Sequence, residues 1–295
     1  MKIMKLTINM RLNYSYDFQN NLKQKDFAKF LLKIGNGKYP INPNTENTID
    51  LPSDITMLKG ALTDLINFVY PNLAENSGNV NYMVNKAILT PKNINVDEIS
   101  NIIINRIPGE TRIYPSADAA DLSENTYRQT EIYSPEFLRS LRMSDIPPGE
   151  LNLKIGIPII LLRNLNPSEG LCNGTRLIIR NLQDKVIDAE IITGTHVGKH
   201  VFIPRITLSP SDNNLPFILK RRQFPIRPAF SMTINKAQGQ TLNQMGLYLP
   251  QPVFSHGQLY VALSRTTSYN NIKILINNNK NCTKNVVYNE IFQKF

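Results

Sequence analysis

The sequence contains no tryptophan, two cysteines and three histidines among 295 residues. Cys172 and Cys282 cannot build a disulfide framework, so a reducing compartment is the default. His196 and His200 have a metal-like spacing, but Gly194 and Gly198 put them in a turn with no acidic or cysteine pair nearby, so no metal site is expected. Long apolar runs are missing as well. IGIPIILL at 155–162 falls far short of the ~20 residues that cross a bilayer, and Gly156 and Pro158 break it, so no membrane span is expected. The opening MKIMKLTINMRLN interrupts its apolar positions with Lys5, Thr7 and Asn9 and lacks the apolar core of a secretory signal. With 41% hydrophobic and 19% charged residues the chain is globular rather than disordered, and its 36 asparagines form no low-complexity tract. A prior of about 150 residues per domain suggests about two domains.

Acidic residues are scarce in one place only. Residues 199–295 carry 12 basic side chains against Asp212 and Glu290, whereas residues 1–198 carry 21 of each sign, so the net charge of +10 lies in the last third. A localised basic excess favours a polyanionic partner; a solvated basic face is the plain alternative.

Periodicity fills in the architecture. Residues 3–8 read as a strand, and Phe18, Leu22, Phe27, Phe30, Leu31 and Ile34 recur at helical spacing over 17–34, with Gly35 as the stop. After a loop at 36–53, a second helical period runs from Leu58 to Val69, closed by Pro71. A strand at 86–89 leads through Thr90 and Pro91 into a helix carrying Val96, Ile99, Ile103 and Ile107, the strand-loop-helix step of an α/β layer. Ser134 and Pro135 mark a further helix over 134–142. From 150 to about 210 the segments are short and β-branched with turn residues between them, which reads as a small barrel of four or five strands. Strand-helix alternation resumes near 225: strand 228–234, a helix start near Lys236, strand 246–250, helix 255–264 capped by Ser255, strand 272–276 and a last helix from Thr283. The expectation is an α/β fold interrupted by a β insertion.

Two segments carry candidate chemistry. PAFSMTINKAQGQTL, from Pro228, brings Thr233, Lys236, Gln238 and Gly239 into one turn after a buried strand. Gly239 removes the side chain that would block a close ligand, and a helix start would offer N–H groups to a phosphate; an ordinary polar turn has the same composition. SHGQLYVALSR at 255–265 places Arg265 at a helix C-terminus, where it suits the helix dipole or could reach a phosphoryl group. Lys220, Arg221, Arg222 and Arg227 read as a solvated hinge or as phosphate contacts, with Phe217 and Phe224 as stacking surfaces.

Taken together, NMR at 9–11, FAKFLLKIGNG at 27–37, ILTPKN at 88–93, GLCNGTRLI at 170–178, TINKAQGQTL at 233–242 and LYVALSR at 259–265 resemble the C-terminal half of the petite-integration-frequency DNA helicases, in particular the Helitron-transposon type. The resemblance implies an α/β fold: the second RecA-like domain of a superfamily-one helicase over residues 1–149 and 225–295, with an SH3-like β-barrel inserted at 150–224. It implies that Arg11 and Arg265 reach the γ-phosphate of ATP. It also implies that Thr233, Lys236, Gln238 and Gly239 couple nucleotide state to single-stranded DNA, with Gly239 near the nucleotide. Thr90 and Lys92, opening a helix after a strand, are a further DNA-backbone contact or a plain helix cap. Asn235 stands where many cellular members have His. The family's GxxxxGK[ST] phosphate cradle and magnesium-binding acids do not occur in this sequence: Gly35-Asn36-Gly37-Lys38 has Leu32 and Tyr39 where Gly and Ser or Thr are needed. The expected role is therefore the C-terminal motor half of an ATP-dependent, five-prime to three-prime DNA helicase. Its implied cofactors are ATP and Mg2+, with the magnesium site on an absent N-terminal RecA-like domain, and its implied location is the nucleus, in DNA repair, recombination or telomere maintenance. A non-catalytic single-strand DNA-binding module and a degenerate transposon remnant are the alternatives.

Overall fold

The computed structural model describes residues 18–43, 45, 48–121, 133–143, 145–211, 215–266, 268–276, 281–288 and 290. The strand expected at 3–8 and Arg11 lie outside the described residues. In chain order the helices are α1 (Phe18–Gly35), α2 (Leu62–Val69), α3 (Val80–Met83), α4 (Asn93–Arg106), α5 (Pro135–Ser140) and α6 (Gln258–Leu263). The first eight strands are β1 (Thr48–Asp50), β2 (Lys86–Thr90), β3 (Arg112–Pro115), β4 (Ala117–Asp121), β5 (Glu150–Leu153), β6 (Pro158–Leu161), β7 (Arg176–Leu182) and β8 (Val186–Ile191). The rest are β9 (His200–Pro204), β10 (Ile206–Leu208), β11 (Ile218–Gln223), β12 (Ile226–Pro228), β13 (Ser231–Thr233), β14 (Gln244–Leu249), β15 (Ile272–Ile276) and β16 (Cys282–Lys284). The chain divides into an α/β unit, residues 1–72, 85–99 and 231–295, and a β-rich unit, residues 73–84 and 100–230.

The α/β unit is built on a parallel sheet in the order β13-β2-β14-β15. Its strands read as near-continuous apolar runs, and Ile88, Leu89, Met245, Leu247, Ile272 and Ile274 are buried, as expected for a sheet covered on both faces. On α1 the helical stripe buries Phe27, Leu31 and Ile34 in the same core as Leu259, Ala262 and Leu263 of α6. Leu22, expected in that stripe, is exposed. At Gly246 a Cβ would lie 3.0 Å from side-chain carbons of Leu65 and Val69, so α2 sits on β14 at the one position without a side chain. Tyr269 donates from its hydroxyl to both carboxylate oxygens of Asp54 at 2.6 Å. Burial and the Asp54 charge push its pKa strongly upward, so this bond holds across the ordinary pH range.

Two expectations about short segments fail. Residues 282–284 form β16, paired antiparallel with β1, where a helix from Thr283 was expected. The segment 36–53, expected as a loop, contains that partner strand. Both strands are three residues long, too short for periodicity to distinguish strand from helix.

The β-rich unit carries a five-stranded antiparallel sheet, β12-β6-β7-β8-β9, with a three-stranded sheet β10-β11-β4 and a pair β3-β5. The hairpins at Gln183–Asp184 and Gly194–Gly198 fall where the turn residues stand. Neither β3 nor β4 shows in the sequence pattern, and β5 pairs with β3 rather than with β6. Ser134 caps α5, its hydroxyl accepting from the Phe137 N–H at 3.2 Å, as the sequence indicates.

The cluster at 220–227 is corrected by the structure. Arg221 is fully buried: its Nε and Nη2 donate to Asp118, and its guanidinium also reaches the carbonyls of Leu138, Leu141 and Pro147 at 2.7–3.1 Å. Arg227, also buried, donates to the carbonyls of Met143 and Ile146 at 2.9 Å. The end of α5 and the described residues 141–143 and 145–147 after it pair in no sheet, so their carbonyls need donors from elsewhere, and these two arginines supply several. Phe217 and Phe224 are buried in the core and offer no stacking surface. Only Lys220 and Arg222 of the four cations are exposed.

Candidate functional site

The two loops singled out in the sequence meet at the carboxyl edge of the parallel sheet. β13 and β2 are neighbours in register, with Thr233 opposite Thr90 at their last residues. The chain leaves β2 through Pro91 and Lys92 into α4, and leaves β13 through Ile234 to Gly239. Ser231 Oγ donates to the Val96 carbonyl at 2.9 Å, which ties β13 to the first turns of α4. Carboxyl ends of parallel strands, with free N–H groups at the following helix start, are where α/β folds receive ligands.

Each residue has a distinct place there. Lys92, Lys236, Gln238 and Gly239 are exposed, whereas Thr233 is buried. Thr90 is fully buried and its hydroxyl oxygen has no hydrogen-bond partner. Gly239 takes φ +88°, and a Cβ there would meet nothing within 4 Å, so the backbone lies open to close approach. One local expectation fails: Ile234–Ala237 is a single 3-10 turn, and no α-helix start follows β13. Gln238 is extended at φ −60°, ψ 130° and Gly239 is left-handed, which together end the turn.

Arg265 follows α6 at the opposite, amino edge, where its carbonyl accepts from the Leu242 N–H at 2.8 Å. The side chain is buried. Its Nε donates to the Val261 carbonyl at 2.8 Å, Nη2 to Ser264 Oγ at 2.7 Å and Nη1 to the Gln240 carbonyl at 3.4 Å. Its guanidinium is therefore turned onto its own helix and onto the end of the 234–242 segment. Arg11, its expected companion, lies outside the described residues.

Sequence reasoning missed Gln258. This buried side chain donates from Nε2 to Asn235 Oδ1 at 3.3 Å and accepts at Oε1 from the Phe254 and Ser255 N–H groups at 3.0 and 3.4 Å. It joins the loop after β13 to the loop after β14. Ser255 does not cap α6; Gly257, at φ 66°, holds that position without a side-chain bond. No local signal marks it: Gln258 is the first residue of α6 and not the third-position glutamine of a capping box. Among the described residues there is no group of three or more His, Cys, Asp and Glu that could hold a metal ion. For a nucleotide they offer the open backbone at Gly239 and the inward-turned Arg265.

Comparison with known proteins gives a family resemblance. Residues 136–182 match the family model for the DNA helicase Pif1, 2B domain. The human ATP-dependent DNA helicase PIF1 is 34% identical over 128 residues, covering 42% of this chain and 19% of that protein. Pif1 of Campylobacter jejuni is 32% identical over 145 residues, covering 47% of this chain and 31% of the relative. The chain thus spans a fifth to a third of the length of these two relatives. Among solved structures, the Candida albicans Pif1 helicase aligns with TM-score 0.59 at 22% identity over 94% of this chain and 58% of its own. Bacteroides Pif1 bound to single-stranded DNA aligns with TM-score 0.52 at 21% identity, over 91% of this chain and 50% of its own. Structures at that identity establish the shared fold. Family model and sequence relatives agree, and over part of its length this chain is similar to the Pif1 DNA helicases.

Proposed function

We propose that this chain is the C-terminal motor part of an ATP-dependent DNA helicase that moves five-prime to three-prime on single-stranded DNA. The observation carrying the proposal is the register that ends β2 and β13 side by side at Thr90 and Thr233, with Lys92 and Lys236 exposed in the segments that follow and an open backbone at Gly239. Cations and accessible backbone N–H groups are what a phosphodiester strand requires. In this reading the α/β unit is the second RecA-like domain and the antiparallel sheet of the β-rich unit belongs to an SH3-like insertion. Arg11 and Arg265 face the γ-phosphate of ATP. A separate RecA-like domain supplies the phosphate cradle and the magnesium, and the protein works in the nucleus in repair, recombination or telomere maintenance, within a Helitron-type lineage.

One observation favours a second reading, a single-strand binding module without hydrolysis. Arg265 is buried and hydrogen-bonded to Val261 and Ser264. To reach a phosphoryl group its side chain must leave those partners; the bond to Gln240, at 3.4 Å, is the weakest of the three.

Steady-state ATP hydrolysis with and without oligo(dT) tests the proposal. The chain alone is expected to bind the oligonucleotide and to hydrolyse no ATP. Robust turnover by the chain alone that disappears in Arg265→Ala would show that it is a complete engine. Oligonucleotide binding that never responds to ATP, even when a RecA-like domain carrying GxxxxGK[ST] is added in trans, would leave the binding-module reading.

A further inference from the structure

The carboxyl edge holds a third loop, residues 250–257, leading from β14 to α6. Three rings gather there. Phe254 is 56% exposed although its neighbour Val253 is buried. His256 stacks on Tyr288 with ring centroids 5.4 Å apart and planes 12° from parallel, and Tyr288 is 52% exposed. The backbone beneath them is fixed. Gln258 Oε1 holds the Phe254 N–H, the Gly257 N–H donates to the Val286 carbonyl at 2.9 Å, and the Tyr288 N–H donates to His256 Nδ1 at 2.9 Å. Through its Nε2 the same Gln258 holds Asn235, next to Lys236 in the loop after β13.

Large rings left in water, on a backbone held by hydrogen bonds and joined through Gln258 to the segment that carries exposed Lys236, suit one class of ligand. A nucleotide has an aromatic face and a phosphate, and a pre-ordered ring loses little entropy in receiving it. We propose that Phe254, together with the Tyr288–His256 stack, is a base-stacking platform for single-stranded nucleic acid, continuing the path set by Lys92 and Lys236. The inference rests on the single-strand binding proposed above and adds the residues that receive bases rather than phosphates.

Because the sequence has no tryptophan, Phe254→Trp places a single indole reporter in the full chain. Binding of oligo(dT) is expected to quench that indole, while an abasic oligomer of equal length leaves its emission unchanged. Phe254→Ala and Tyr288→Ala should each weaken oligo(dT) binding about tenfold, within the range measured for base–aromatic stacking, with no change in salt dependence. Phe202→Ala, at an exposed phenylalanine of the β-rich unit, should have no effect. Salt-dependent binding of oligo(dT) that is indifferent to both alanine variants, with no indole quenching, overturns the platform and leaves the single-strand reading intact. Failure of the unaltered chain to bind oligo(dT) at low salt removes both. Far-ultraviolet circular dichroism of the alanine variants separates loss of stacking from loss of folding.

Discussion

Removing the guanidinium of Arg221 would leave the Asp118 carboxylate, 2% exposed, and the carbonyls of Leu138, Leu141 and Pro147 without their donors. Breaking such a buried pair by deleting one partner costs about 3–5 kcal/mol. Arg221→Met is therefore expected to lower the denaturant midpoint of the β-rich unit sharply. The double variant with Asp118→Leu should regain part of the loss, because no charge stays buried, but not all of it, because the carbonyls remain unpaired. A double variant as unstable as the single one would mean that the carbonyls and not the ion pair matter. Asp145 offers a pH-dependent counterpart. Burial pushes its carboxyl up, but hydrogen bonds from the Ser211 hydroxyl and N–H, with Arg163, outweigh burial and hold it below the usual carboxylate value. A depressed folded pKa stabilises the folded form above the unfolded value of about 3.9, and that contribution fades as pH falls through the folded pKa. Asp145→Asn should cost about 1 kcal/mol at neutral pH, the value of a charged hydrogen bond reduced by solvent screening. The gap to the parent should shrink in denaturant curves taken below about pH 4; a constant gap would mean that the carboxylate charge is irrelevant.

At the level of elements, the contact of α2 with β14 depends on a missing side chain. Gly246→Val inserts three carbons at a position where the first of them, the Cβ, would already lie 3.0 Å from Leu65 and Val69, so one helix or one strand must shift. Overpacking of this kind costs about 1–3 kcal/mol, and a melting curve of the variant should show it; an unchanged midpoint would mean that α2 yields freely. The parallel strands were legible because burial on both faces writes itself as near-continuous apolar runs at 86–90, 244–249 and 272–276. The helices α1, α4 and α5 were legible from spacing and caps. The short strands were not: RIYP at 112–115 and ADAAD at 117–121 have too few apolar residues, and their pairing with β5 and β11 is set by partners roughly 30 to 100 residues away. The same limit applied to the site. Thr90, Lys92, Thr233, Lys236, Gln238 and Gly239 were found as motif residues, but only register shows that Thr90 and Thr233 end side by side. Gln258 and Phe254 stood unnoticed because nothing local distinguishes a linking glutamine or a projecting phenylalanine from a core residue.

For the whole molecule, folding offsets part of the linear segregation of charge. Many cations of the last third find partners from earlier in the chain: Lys199 pairs with Glu169, Lys220 with Asp121, Arg221 with Asp118, and Lys273 donates to the Asp54 carbonyl. Arg205 donates to the Pro115 carbonyl and lies over Tyr114 and Phe224. The basic excess is therefore a poor count of the charges offered to a strand. A better one is the small set of exposed cations on the candidate edge, Lys92 and Lys236. Each phosphate neutralised on single-stranded DNA contributes about −0.7 to the slope of log affinity against log salt. If the whole +10 charge engaged the strand, the slope would be several units; if these two lysines dominate, it should be about −1.4. Lys92→Ala and Lys236→Ala are each expected to make the slope shallower by about 0.7, whereas Lys220→Ala, in the β-rich unit, should leave it unaltered. Oligo(dT) titrations from low to moderate salt measure all four slopes, and a steep slope insensitive to Lys92 and Lys236 would move the strand to another surface of the molecule.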